Sequence, residues 1–183
     1  MNERPHVAVF LAVSLDGMIA DAQHGLGWLM PHAGNDTAAT GYDALMARTD
    51  TLLMGRRTYD VVRGFGQWPY DGKRVGVMTH RPHEVTRPAE PMAAGSLLDV
   101  LEALHRDGAR HVYVDGGDVV RQALRADVVD ELTLSWVPVV LGDGVPLFDR
   151  ALPLSRWRTR QCRTLPSGLV QAVYEPAELA VPA

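Results

Sequence analysis

Short, nearly uninterrupted apolar runs alternate along this chain with stretches whose apolar residues recur every three or four positions, the pattern of buried strands separated by helices. His6–Val13 predicts a central strand covered on both faces, and Thr51–Met54, Val75–Met78, Arg110–Val114 and Glu131–Val137 predict four more. Tyr42, Leu45 and Met46 fall at helical spacing, which predicts a helix from an Asp36 N-cap to Arg48. Further helices are expected over Arg57–Arg63, from a Ser96 cap through Leu97, Leu98, Leu101 and Leu104 to Gly108, and over Val119–Leu124. Asp21 to Asn35, rich in glycine and carrying Pro31, predicts a long mobile loop beside a site. Pro82, Pro88 and Pro91 mark a second loop with one short strand at most. Trp157–Thr164 and Leu169–Tyr174, joined by Pro166-Ser167-Gly168, read as an antiparallel hairpin. The expected class is α/β: a mostly parallel sheet with an antiparallel C-terminal hairpin, covered by helices.

Composition narrows this picture. The 183 residues, 46% hydrophobic and 22% charged, are those of an ordinary globule, so one domain over 1–183 is expected, with an ordered core at about 6–175 and a loose tail at 176–183. The net charge of -4 gives no general field for nucleic acid or anionic membrane, so anion binding has to be local. Cys162 is the only cysteine, which leaves no internal disulfide and no multi-thiolate metal centre. No apolar stretch approaches the roughly 20 residues of a membrane span, and the first one reads as a strand, so the cytoplasm is expected. His-Glu-x-x-His, Gly-x-Ser-x-Gly, Gly-x-Gly-x-x-Gly and Gly-Lys-Ser/Thr patterns are all missing.

Three strand-to-helix corners carry the candidate chemistry: Gly55-Arg56-Arg57-Thr58, Thr79-His80-Arg81 and Gly116-Gly117-Asp118, the last leading into Val119. Helix starts expose N–H groups and the positive end of the helix dipole, and arginine and threonine add phosphate donors. Alone, Gly55 can simply end a strand and Arg56 and Arg57 can be solvated charges. Parallel strands, however, open their C-terminal ends on one side, which brings all three corners to one crevice and points to a dinucleotide. Arg81 with Thr79 or His80 suits a 2′-phosphate, and no carboxylate follows Val75–Met78 to hold a free ribose 2′-hydroxyl, so NADPH is expected over NADH.

Ser14-Leu15-Asp16-Gly17-Met18-Ile19-Ala20, Met54-Gly55-Arg56-Arg57-Thr58-Tyr59 and Val114-Asp115-Gly116-Gly117 resemble the dihydrofolate reductase superfamily over about His6 to Tyr174. With Leu141-Gly142-Asp143-Gly144-Val145-Pro146-Leu147-Phe148, they look most like the reductase domain of riboflavin-biosynthesis deaminase–reductases. The resemblance implies a three-layer α/β/α fold, NADPH phosphates held by Gly55–Thr58 and Thr79–Arg81, and a cis peptide at Gly116-Gly117. It also implies that Ala12, Ile19 and Ala20 line the nicotinamide slot, that Trp28 lies over the substrate side, and that Ser135 bonds a pterin-like ring. The zinc-deaminase elements that accompany the reductase in the bifunctional enzymes are missing.

One position departs from the superfamily. Where dihydrofolate reductases carry an acid on the first helix, counting back from Gly55 reaches Ala39; Asp36 and Asp43 are near, and either one is a shifted acid or they are only the cap and a solvated surface charge. Asp16 is the alternative acid, either orienting the substrate and supplying the proton that follows the hydride or only forming the turn before Gly17, and Asp115 either faces the substrate or bonds backbone N–H groups. The implied activity is NADPH-dependent reduction of a small heterocyclic or ribosylamino-pyrimidine-like substrate, with dihydrofolate reduction and non-catalytic nucleotide binding as alternatives. The partners expected are a small-molecule substrate and, through Trp136–Val140 and Val145–Phe148, a second copy in a homodimer.

Overall fold

The computed structural model describes residues 4–32, 37–92 and 95–178. Its main sheet has eight strands in the order β5-β4-β3-β6-β1-β7-β10-β9. These are β1 (His6–Ser14), β3 (Thr51–Gly55), β4 (Arg74–Met78), β5 (Glu90–Pro91), β6 (His111–Asp115), β7 (Glu131–Val137), β9 (Trp157–Thr164) and β10 (Val170–Pro176). The strands from β5 to β7 run parallel, and β10 and β9 complete the sheet antiparallel. Strand β2 (Met18–Ala20) pairs with β8 (Val145–Pro146) in a separate small ribbon, a contact the apolar pattern does not announce because each strand is so short.

Both faces of the sheet are covered. On one, Leu97, Val100, Leu101 and Leu104 of α4 (Leu97–Arg106) and Val119, Val120, Ala123 and Leu124 of α5 (Gly117–Arg125) pack on Val7, Val9, Leu53, Val112 and Val114. On the other, Leu45 of α2 (Tyr42–Arg48) and Tyr59 and Val62 of α3 (Arg56–Arg63) meet Ala8, Leu52, Met54 and Tyr113. This is the three-layer α/β/α architecture that the resemblance implied. The helix expected from Asp36 to Arg48 is two pieces, α1 (Thr37–Thr40) and α2, because Gly41 takes φ 81° between them, a conformation glycine adopts without penalty. Asp36 itself lies outside the described residues.

Helices α3 and α5 start directly at the ends of β3 and β6, one residue earlier and two residues earlier than the apolar periodicity predicts. Each is N-capped by a glycine, Gly55 or Gly116, with no side-chain cap hydrogen bond. Helix α4 differs: Ser96 and Asp99 close a capping box on its first turn. The fold therefore leaves helix-start amides without a side-chain acceptor at the C-terminal ends of β3 and β6, which are hydrogen-bonded neighbours.

Candidate active site

A crevice of about 780 Å³ opens at these strand ends, and residues of all three corners line it: Gly55, Arg56, Arg57 and Thr58; Thr79, His80 and Arg81; Gly116, Gly117, Asp118 and Val119. Ala12 of β1 and Ile19 and Ala20 of β2 also line it, as does Asp115. Its size is that of a site for a large small-molecule ligand.

Close approach and a positive φ make glycine necessary at Gly116, and Gly117 beside it is closely packed. A Cβ on Gly116 would collide with the Thr58 hydroxyl, and one on Gly117 would lie 2.6 Å from Ile19 Cδ1. Gly116 adopts φ 88°, which turns the chain from strand to helix without the cis peptide that the resemblance implied; the cis bond among the described residues is Arg87–Pro88.

The two arginines of the first corner differ. Arg56 Nε donates to both Asp60 carboxylate oxygens at 3.0 Å, and Nη1 lies 2.6 Å from Glu84 Oε2. Arg57 is exposed and makes no hydrogen bond or ion pair with the described residues. At the second corner the Thr79 hydroxyl accepts the Arg81 N–H at 2.9 Å, and Arg81 Nη1 reaches Glu84 at 3.4 Å. At the third, Asp118 pairs with Arg121, which also approaches Asp149.

Asp115 is the carboxyl within the crevice whose acidity departs most from the ordinary. Burial raises it to about 6 against the lowering effect of the Gly116 N–H, which it accepts at 2.7 Å, and of the Tyr113 hydroxyl. Three phenols surround it, and Tyr42, Tyr70 and Tyr113 are each pushed up by burial first and by the Asp115 charge next. Tyr70 shares the crevice wall with it.

Three residues singled out by type stand apart from this wall. Asp16 accepts the Ser14 hydroxyl at 2.6 Å and the backbone N–H groups of Leu141 and Gly142 at 3.1 and 2.8 Å, which hold it down at about 2. It is ionised and engaged in joining the turn after β1 to the segment before β8. Ser135 is buried between β7 and β10, where its hydroxyl accepts from Gln171 Nε2 at 3.0 Å while Arg163 donates to Gln171 Oε1. Trp28 packs beside Ala12 on Val137, Leu165 and Leu169, with its buried indole N–H unpartnered. The neighbouring Leu26 and Leu29 reach the crevice in its place.

The crevice also recruits residues that carry no chemical signal in sequence. Val61, Val62 and Phe65 extend its wall along and beyond α3, and Tyr70 closes it from the loop before β4. Arg57, Val61 and Phe65 are four apart, the spacing of one helical face, and that spacing is the signal available before the fold is known.

Comparison with known proteins gives a consistent result. Residues 79–171 match the model of the RibD C-terminal domain family. The uncharacterized protein YwjB of Bacillus subtilis is 30% identical over 142 residues, covering 76% of this chain and 80% of that one. A crystal structure from Shewanella sp. PV-4, provisionally assigned to riboflavin biosynthesis, superposes with a TM-score of 0.84 at 34% identity, over 94% of this chain and 99% of the other. The Thermotoga maritima diaminohydroxyphosphoribosylaminopyrimidine deaminase/5-amino-6-(5-phosphoribosylamino)uracil reductase shares the fold at a TM-score of 0.68 and 16% identity, with 95% of this chain matched to 57% of that longer one.

Proposed function

This chain belongs to the RibD C-terminal domain family, and from that premise we propose that it is an NADPH-dependent reductase of a small, electron-poor heterocycle. One observation carries the proposal: two helix starts without side-chain caps, with the unpaired Arg57 and the Thr58 hydroxyl, face a single crevice. Amides and a guanidinium so placed fit a diphosphate. Arg81, with Thr79 and His80 beside it, would take the 2′-phosphate that distinguishes NADPH from NADH.

When bound, the reduced nicotinamide supplies a hydride. The protein's own tasks are to orient the acceptor carbon, to exclude water and to hold one proton. Reduction of a C=N or C=O group takes the hydride at carbon and a proton at the heteroatom, and Asp115 is the group that fits the second role. Its carboxyl is protonated below about 6, whereas Asp16, held at about 2, is an anion throughout the working range. Ala12 and Ile19 present small and apolar surface to the nicotinamide slot.

Isothermal titration with NADPH and NADH tests the reading. Binding of NADPH, at least tenfold tighter than NADH, is expected. Absence of heat with either coenzyme would sink it.

A further inference from the structure

The far wall of the crevice is apolar and open. Val61 and Phe65 on the α3 side, and Leu26 on the loop after β2, are 44%, 61% and 38% exposed, and all three line the crevice. Large side chains left in water around a concave wall mark a surface that gains by being covered. This wall continues from the Arg57 end by one helical turn to Val61 and then beyond the helix end to Phe65, so a ligand anchored at the corners has its remaining part alongside it.

Charge limits what that part is. Four arginines line the crevice among the described residues. Arg56 is held by Asp60 and Glu84, and Arg121 by Asp118 and Asp149. Arg57 and Arg81 stand at the corners assigned above to the coenzyme phosphates. No arginine is left for a second phosphorylated group, and Asp60, next to Val61 on α3, puts a carboxylate on the same wall. A phosphorylated sugar would meet acid and hydrocarbon there.

We infer that the substrate carries an uncharged, apolar substituent, seated on Val61, Phe65 and Leu26, where a riboflavin-pathway pyrimidine carries a phosphoribosyl group. The inference rests on the reductase reading and names its substrate class. The heterocycle itself lies toward Asp115, and the apolar wall selects the substituent.

Two probes with one ring isolate the substituent: 5-amino-6-benzylaminouracil and 5-amino-6-(5-phosphoribosylamino)uracil, each titrated onto the NADP-loaded protein. The benzyl compound is expected to bind at least tenfold more tightly. Phe65→Ser and Val61→Ser, at exposed positions, should each erase most of that ratio while leaving NADPH affinity and Tm unchanged. Tighter binding of the phosphoribosyl compound, or a ratio that survives both substitutions, overturns the inference. A Phe65→Ser variant that changes the molecular mass in light scattering but not the ratio also overturns it, assigning the wall to a second copy. Failure of the parent to bind NADPH at all is separately visible, and removes the reductase reading together with the inference.

Discussion

Arg57 carries a charge that no described side chain neutralises, while Arg56, its immediate neighbour, is fixed by Asp60 and Glu84. Their variants should therefore separate. Arg57→Ala should weaken NADPH binding by about tenfold or more, the loss of a charge-assisted bond, with Tm unchanged. Arg56→Ala should lower Tm as well, because Glu84 loses its main partner and remains beside the loop; calorimetric titration and thermal melts check both. Asp115 gives a pH dependence of defined sign. The fold raises its pKa, so the neutral carboxyl is the favoured form; its contribution is complete below the ordinary value of 3.8 and is lost as pH climbs through about 6. The difference is about 3 kcal/mol, so Asp115→Asn should be more stable than the parent at pH 8 and lose that advantage toward pH 4 in denaturant titrations. If Asp115 supplies the proton, turnover of the parent is expected to decline above about pH 6, and Asp115→Asn should turn over much more slowly with no such decline, as rate–pH profiles of the two would show. Residue type alone pointed equally at Asp16, whose acceptor role was hidden because its backbone partners lie at Leu141 and Gly142, far along the chain. Phe65 and Val61 went unmarked for a related reason: an apolar side chain reads as core until the fold shows which face it occupies.

At the level of elements, the contrast between capped and uncapped helices divides scaffold from site. Ser96→Ala removes the box that starts α4 and should cost about 1 kcal/mol of stability without touching coenzyme affinity. Gly116→Ala should do both kinds of damage. It forces φ 88° on a residue with a Cβ and drives that atom into Thr58, costing about 2 kcal/mol and opening the corner that faces the diphosphate. Parallel thermal melts and NADPH titrations distinguish the two variants. Strands β1, β3, β4, β6 and β7 were legible from their apolar runs, since a strand buried on both faces has no polar alternative. Helix starts were less so, because glycine caps contribute no hydroxyl or carboxylate to mark the boundary. The β2–β8 ribbon was not legible at all: two or three residues are too few to establish a period.

Across the whole molecule, two apolar clusters lie on opposite faces of one sheet, joined through its central strands. A large-to-small change in the α4–α5 cluster, such as Leu101→Ala at a fully buried position, should cost about 2–5 kcal/mol and reduce activity only in proportion to the folded fraction, as melts run alongside rates would show. The class of the sheet followed from the alternation of runs and helices, but the order of its strands did not, because crossover direction leaves no trace in local composition. That order determines what lies at the margins. On one side stands β5, two residues long and ending in Pro91; on the other stands β9, where Arg158 and Arg160 project from an exposed ribbon and are tied to Glu175 and Glu131. Neither margin offers a long, uncharged row of amides to an incoming chain. Both margins of the main sheet therefore resist lateral growth into fibrils, so a crowded solution of this protein should stay free of cross-β assemblies that grow from them.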